Sequence, residues 1–201
     1  MSSIDYVVFD LGGVLVDWDP RYLYRKIFDT EAEVEFFLRD IFSHDWILAS
    51  DAGRPLDDCI AELVARHPDY AGPIRAYRDR WHEMVTGPIE GTVDILRKLK
   101  SDGVALFVLS NWSRDTWPHA LEAFEFLDWF DGLVVSGLEG VAKPDAEIFR
   151  RLEGHGVDLS RALFIDDRAD NIAAAEALGM TGIVFSDAPD LHQRLSALKL
   201  I

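Results

Sequence analysis

The chain has 201 residues, 49% of them hydrophobic and 28% charged, enough to bury a core without disulfide or metal staples and too apolar for intrinsic disorder. Thirty-six acidic residues against 20 Lys and Arg leave a formal net charge of −16, which disfavours nucleic acid and anionic membranes as partners. One cysteine, no basic-then-apolar leader at the N-terminus and no run near the ~20 apolar residues of a membrane span together predict a cytoplasmic protein.

Five short apolar runs bounded by turn residues are predicted strands: Tyr6–Phe9 and residues 104–109, 133–135, 162–165 and 182–185. Each is too short for a helix and lacks polar alternation, the pattern of strands covered on both faces. Helix-period segments at 92–100, 115–126, 145–153 and 171–178 alternate with the later strands. Gly103, Gly156 and Gly179 close or follow three of these segments as C-terminal stops. Strand alternating with helix predicts an α/β protein with a parallel sheet and right-handed crossovers. Residues 21–85 break this rhythm and read as helix throughout, with Pro55, Pro68 and Pro73 as joints. The expected division is therefore a core of residues 1–15 and 88–201, and a helical cap of residues 16–87.

In an open parallel sheet, ligands bind beyond the C-terminal ends of the strands. Asp10-Leu11-Gly12-Gly13-Val14 follows the first predicted strand, Ser110-Asn111 the second and Asp166-Asp167 the fourth, while Lys143-Pro144 opens the helix before the fourth. Carboxylates about 4 Å apart repel by about 4 kcal/mol per pair at an effective dielectric near 20. A divalent cation relieves that repulsion, and carboxylates with water are what Mg²⁺ selects. Lys143 offers a point charge to a phosphoryl group, and Ser110 and Asn111 offer neutral donors. A carboxylate facing a phosphoryl group beside Mg²⁺ can form an aspartyl-phosphate. Gly12 and Gly13 allow the sharp turn that such a site needs. Singly, each of these residues reads as an ordinary turn, cap or surface residue; their joint placement carries the reading.

The set resembles the haloacid dehalogenase (HAD) superfamily, whose four motifs match residues 10–14, Leu109-Ser110-Asn111, Lys143-Pro144-Asp145 and residues 164–171. The resemblance implies a Rossmann-like α/β core with an inserted all-helical cap. It implies that Asp10 is the nucleophile, that Ser110 and Asn111 bind the transferring group, and that Lys143 offsets charge on both. Mg²⁺ would be held by Asp10, the Gly12 carbonyl and Asp167, with Asp166 in or beside the shell and Asn171 orienting that loop. Within the superfamily the chain most resembles small sugar-phosphate phosphatases similar to α-D-glucose-1-phosphate phosphatase. This implies a small phosphorylated metabolite as substrate, with a sugar 1-phosphate as candidate, and a monomer or weak dimer.

One position departs from the family pattern. Most members carry a second aspartate two residues after the nucleophile, as general acid for the leaving alcohol; here that residue is Gly12. Loss of a positioned acid typically costs about 10²- to 10⁴-fold in rate. Asp17 or water could supply the proton, or the substrate could have a better leaving group, as an anomeric phosphate does. Two other functions stay open: dehalogenation, which needs no acid, and a non-catalytic phosphate-binding or regulatory role. The Asp166-Asp167 pair favours the phosphatase over the former, and the intact Asp10, Lys143 and Asp167 favour it over the latter.

Most of the six tryptophans are expected in the core or at the core–cap junction, with Trp18 and Trp112 singled out because each adjoins a motif. His44-Asp45-Trp46 reads as a surface helix turn, with a segment dipping toward the site as the alternative. Arg114 and Arg168 are candidate anion ligands, and Cys59 reads as core.

Overall fold

The computed structural model describes residues 4–201; residues 1–3, read above for a leader, and the side chain of His44 lie outside the described set. The strands are β1 (Tyr6–Phe9), β2 (Val16–Trp18), β3 (Val85–Pro88), β4 (Ala105–Ser110), β5 (Gly132–Val135), β6 (Ala162–Asp166) and β7 (Thr181–Val184). Helices α1 (Arg21–Tyr24), α2 (Glu31–Phe36), α3 (His44–Asp51), α4 (Leu56–Arg66) and α5 (Ala71–Asp79) fill the interval between β2 and β3. The remainder are α6 (Glu90–Ser101), α7 (Trp117–Ala123), α8 (Ser136–Glu139), α9 (Ala146–Arg150), α10 (Ala169–Ala177) and α11 (Ala188–Ala197). Among the described residues, no helix is long and apolar enough to cross a membrane.

The five strands expected from the apolar runs form one parallel sheet in the order β5-β4-β1-β6-β7. Both faces are covered, which is why the strands are uninterrupted apolar runs. Leu96 and Leu99 of α6 and Leu191 and Leu195 of α11 pack on one face, and Ile148 and Phe149 of α9 and Ile172 and Ala175 of α10 on the other. Val7, Val8 and Phe9 of the central strand are completely buried. Phe9 is in register with Val108 of β4 and Ile165 of β6. The residues that follow these positions therefore leave the sheet side by side at its C-terminal edge.

The buried side of the helical insert is continuous with the core on one face of the sheet. Tyr24, Phe37, Phe42, Trp46 and Tyr77 are buried together, with ring centroids 4.4 Å apart for Phe42–Trp46 and 4.8 Å for Phe42–Tyr77. Such pairs contribute about 0.5–1.5 kcal/mol each beyond area burial. Trp46 also donates its indole N–H to the Cys59 carbonyl at 2.9 Å, so it is part of this core and not of the surface helix turn expected at 44–46. Cys59 is buried there too, as expected.

The finer expectations hold unevenly. Gly103, Gly156 and Gly179 all adopt the left-handed conformation of helix stops. The helix expected at 115–126 is shorter: Pro118 is tolerated only in a first turn, so α7 starts at Trp117, and a 3₁₀ segment follows at Glu125–Trp129. Pro73 is not a joint but lies in the first turn of α5, for the same reason. The antiparallel pair β2–β3 was not expected, because β3 contains Gly87 and Pro88, residues that ordinary strands avoid. This pair closes the insert at its base, directly beside the turn that follows β1.

Candidate active site

Asp10 stands at the end of β1, nearly buried. Its Oδ1 accepts the Leu11 amide at 2.7 Å and lies 3.0 Å from the Lys143 ammonium. Lys143 is almost completely buried and donates to Asp166 Oδ2 at 2.7 Å and to the Leu109 carbonyl at 3.0 Å. Burial alone would push the lysine pKa down, but Asp10 and Asp166 outweigh it and hold the ammonium above its ordinary value. Burial pushes the Asp10 carboxyl up to about 7; Lys143 pulls against this and the Asp166 charge adds to it. Asp167 is exposed; partial desolvation and then the Asp166 charge raise its carboxyl above the ordinary value.

Each neighbour has a defined task. The Asn111 side chain brackets the lysine backbone, with Oδ1 accepting the Lys143 amide at 2.8 Å and Nδ2 donating to its carbonyl at 3.0 Å. Its amide thus positions Lys143 and retains a single Nδ2 hydrogen for anything else. Asn171 donates to both oxygens of Asp166 at 3.0 Å, and the Arg168 amide adds a bond at 2.8 Å. Asp166 is consequently saturated by protein donors and serves as the counter-charge that orients Lys143. The Ser110 hydroxyl faces the Asp10 carboxylate and favours its charged form, while the Trp112 indole N–H is buried without a hydrogen-bond partner, a costly state that a ligand oxygen would relieve.

A carboxylate oxygen from each of Asp10, Asp166 and Asp167 lies within 4.8 Å of the others; with Asp166 committed to Lys143, Asn171 and the Arg168 amide, Asp10 and Asp167 are the ones left to offer the hard oxygens that Mg²⁺ takes. Among the described residues, no backbone donor is bonded to the Gly12 carbonyl beside them. Gly13 adopts φ +73°, and a Cβ there would lie 2.7 Å from Asp167 Oδ2. Only glycine lets the turn pass this close to that carboxylate.

Asp10, Gly12, Gly13, Asn111, Lys143, Asp167 and Asn171 form one end of a cavity of 540 Å³, whereas Ser110 and Asp166, both expected in the site, are buried and do not line it. Trp18 and Trp112 line it, as their positions beside motifs suggested. The insert contributes Ile47, Leu48 and Asp51 from one face of α3, together with Tyr77 and Trp81. These five were not read from the sequence. Arg168 reaches the cavity edge but is ion-paired with Asp170 at 2.8 Å. Arg114 does not line the cavity; its guanidinium donates to the Gly137 carbonyl at 2.9 Å. Asp17 is also elsewhere, its carboxylate taken by the hydroxyls of Tyr22 and Thr86.

An aspartate and a lysine are thus buried together at the C-terminal edge of a parallel sheet, on a cavity that the helical insert also lines. Residues 4–179 match the family model for haloacid dehalogenase-like hydrolases, and the chain belongs to that family. It is 30% identical over 191 residues to the sesquiterpene phosphatase astK of Aspergillus oryzae, covering 93% of this chain and 92% of that one. A HAD-like hydrolase structure from Porphyromonas gingivalis superposes with a TM-score of 0.75 at 24% identity, over 96% of this chain and 98% of that one. A HAD-family enzyme from Bacteroides thetaiotaomicron, in complex with magnesium and inorganic phosphate, has a TM-score of 0.70 at 24% identity, over 92% and 96%. The chain is a hydrolase of phosphoric monoesters.

Proposed function

We propose that this enzyme is an Mg²⁺-dependent phosphatase for a small monoester with an apolar alcohol, acting through an aspartyl-phosphate on Asp10. One observation carries the reading: a single cavity joins Asp10, Lys143 and Asp167 to a wall of Trp18, Ile47, Leu48, Tyr77, Trp81 and Trp112. Its 540 Å³ is ordinary for a ligand pocket, and such a wall rewards apolar surface over sugar hydroxyls. The relative that acts on a sesquiterpene phosphate supports the same class. The sugar 1-phosphate implied by the resemblance fits this wall less well.

In this reading Asp10 Oδ1 is tethered by Leu11 and Lys143, and Oδ2 is the oxygen left for attack on phosphorus. Lys143 neutralises the approach of a dianion to a buried carboxylate, and Trp112, on the cavity wall, offers its unpartnered indole N–H to the phosphoryl oxygens. Asp10, the Gly12 carbonyl and Asp167 would hold Mg²⁺, which when bound polarises the phosphoryl group. The insert excludes bulk water.

The test is phosphate release from fifteen-carbon isoprenyl monophosphate, glucose 1-phosphate and glucose 6-phosphate at fixed Mg²⁺. We expect kcat/KM for the isoprenyl ester to exceed both sugars by about 10-fold or more; equal or greater turnover of the sugars would overturn the apolar assignment. Leu48→Asp should lower the isoprenyl-to-p-nitrophenyl ratio of kcat/KM by about 10-fold, because a carboxylate desolvated against an alkyl chain is costly. An unchanged ratio would remove α3 from the binding wall. Gly13→Ala should raise the Mg²⁺ concentration for half-maximal activity by about 10-fold or more, since a Cβ must displace Asp167. A Mg²⁺ titration matching the unmodified enzyme would remove Asp167 from the metal set.

A further inference from the structure

An alkoxide is a poor leaving group, so the phosphatase proposed above needs a proton donor that Gly12 cannot supply. Four aspartates line the cavity: Asp10, Asp51, Asp167 and Asp170. Asp10 is the attacking group, Asp167 belongs to the metal set, and Asp170 is ion-paired with Arg168. No histidine lines the cavity among the described residues. Asp51 remains, and among the described residues it has no ion-pair partner. It ends α3 on the insert side of the cavity, on the same helical face as Ile47 and Leu48.

The insert holds Asp51 in place through contacts with the core on both sides of it. Ser50 Oγ of α3 donates to the Oγ of Ser113, in the loop that follows β4, at 2.9 Å, and both residues are buried. Two residues after Asp51, a Cβ on Gly53 would lie 3.1 Å from Gly140 Cα and 3.3 Å from the Gly137 carbonyl, so the backbones are nearly in contact. The Leu56 amide then donates to Asp115 Oδ2 at 2.7 Å. Asp51 is thus fixed relative to Asp10, although the two belong to different parts of the fold.

We propose that Asp51 is the general acid of this enzyme, taking the place of the aspartate absent at Gly12. As Asp10 Oδ2 bonds to phosphorus and the ester P–O bond breaks, the Asp51 carboxyl proton passes to the departing alcohol oxygen. Water then attacks the aspartyl-phosphate, its proton passes to the Asp51 carboxylate, and the bond between phosphorus and Asp10 breaks. Inorganic phosphate leaves, and both aspartates return to their starting states.

The surroundings suit this role. Burial pushes the Asp51 carboxyl up to about 7, and the Asp10 charge adds to it; Lys143 and the Ser113 amide pull the other way. Tyr77 of α5 faces Asp51, and its hydroxyl, raised well above the ordinary phenol range, stays protonated. Asp51 can therefore hold a proton near neutrality and exchange it within the catalytic cycle.

The experiment compares an isoprenyl monophosphate with p-nitrophenyl phosphate, whose leaving group departs without a proton. In Asp51→Asn, kcat/KM for the isoprenyl ester should fall by about 10²-fold or more, and by at least about 10-fold more than for p-nitrophenyl phosphate. Equal losses would reduce Asp51 to a structural part and overturn the proposal. No atom lies within 4 Å of a Cβ on Gly12, and its φ is outside the left-handed region. Gly12→Asp added to Asp51→Asn should therefore recover isoprenyl turnover by about 10-fold or more; failure to recover any would count against an acid deficit. In the unmodified enzyme, kcat/KM for the isoprenyl ester should fall as rising pH strips the proton from Asp51, and more steeply than for p-nitrophenyl phosphate. Identical pH profiles for the two esters would overturn the proposal without any variant. If Asp10→Asn leaves p-nitrophenyl phosphate hydrolysis intact, it is the underlying phosphatase reading that falls.

Discussion

Asp10→Asn is expected to lower kcat by about 10⁴-fold or more and, in chelator, to raise thermal stability. The first effect follows because an amide nitrogen or oxygen is not a competent nucleophile toward phosphorus, while the rest of the cavity is left in place. The second follows from charge. Oxygens of Asp10, Asp166 and Asp167 lie within 4.8 Å of one another, with Lys143 as the cation buried among them. Without a metal, Asp10 and Asp166 share one ammonium with the Asp167 charge close by, and burial already drives Asp10 toward its neutral form. Asparagine keeps the shape and can still accept the Leu11 amide, and Lys143 keeps Asp166. A gain of about 1 kcal/mol is reasonable for removing a poorly compensated buried charge, or about 2–4 °C in Tm for a chain of this size. Saturating Mg²⁺ should reverse the order, because the unmodified protein then gains a ligand that the variant lacks. Calorimetry in chelator and in Mg²⁺ checks both halves; a less stable variant in chelator would mean that the Lys143 pair outweighs the repulsion.

The parts of this molecule that were legible in the sequence are those whose information is local. Asp10, Ser110 and Asp166 each end an apolar run, and parallel strands in register bring such ends together whatever the loops between them do. Lys143 was legible through its neighbour Pro144 and its place ahead of a helix. The insert was legible as helix and no further. Asp51 at the end of α3 reads as a solvated helix terminus; only the contacts Ser50–Ser113 and Leu56–Asp115, across more than fifty residues of chain, turn it toward the site. Trp81 and Leu48 were hidden in the same way. Asp17 shows the opposite error. It is adjacent to Trp18, which lines the cavity, and neighbours on a strand point to opposite faces. The short β2–β3 pair went unread, and with it the reason that Asp17 faces Tyr22 and Thr86 instead.

Lys143→Met tests the other half of the charge balance. Methionine fills most of the lysine stem's volume and keeps contact with the Phe164 ring, over which the ammonium now sits at 5.4 Å. What it removes is the cation between Asp10 and Asp166, at 3.0 and 2.7 Å, in a place that solvent barely reaches. Breaking a buried pair by deleting one partner typically costs about 3–5 kcal/mol, since the remaining charge is left uncompensated. The loss should be near the top of that range here, because two carboxylates lose the same partner, and the Leu109 carbonyl loses a donor as well. Asn171 and the Arg168 amide still support Asp166. Asp10 keeps the Leu11 amide and Ser110 nearby, so it is the group that must take up a proton or draw in a cation. Mg²⁺ is such a cation. A ligand at about 100 times its Kd stabilises by about 2.7 kcal/mol, and its Kd should be lower in the variant, where no ammonium competes for the same oxygens. We therefore expect Mg²⁺ to raise the Tm of Lys143→Met by more than it raises that of the unmodified protein, while activity stays at least about 10²-fold down for want of the charge that steadies the phosphoryl group. Equal Mg²⁺-induced shifts in the two proteins would show that Lys143 and the metal do not answer the same carboxylates.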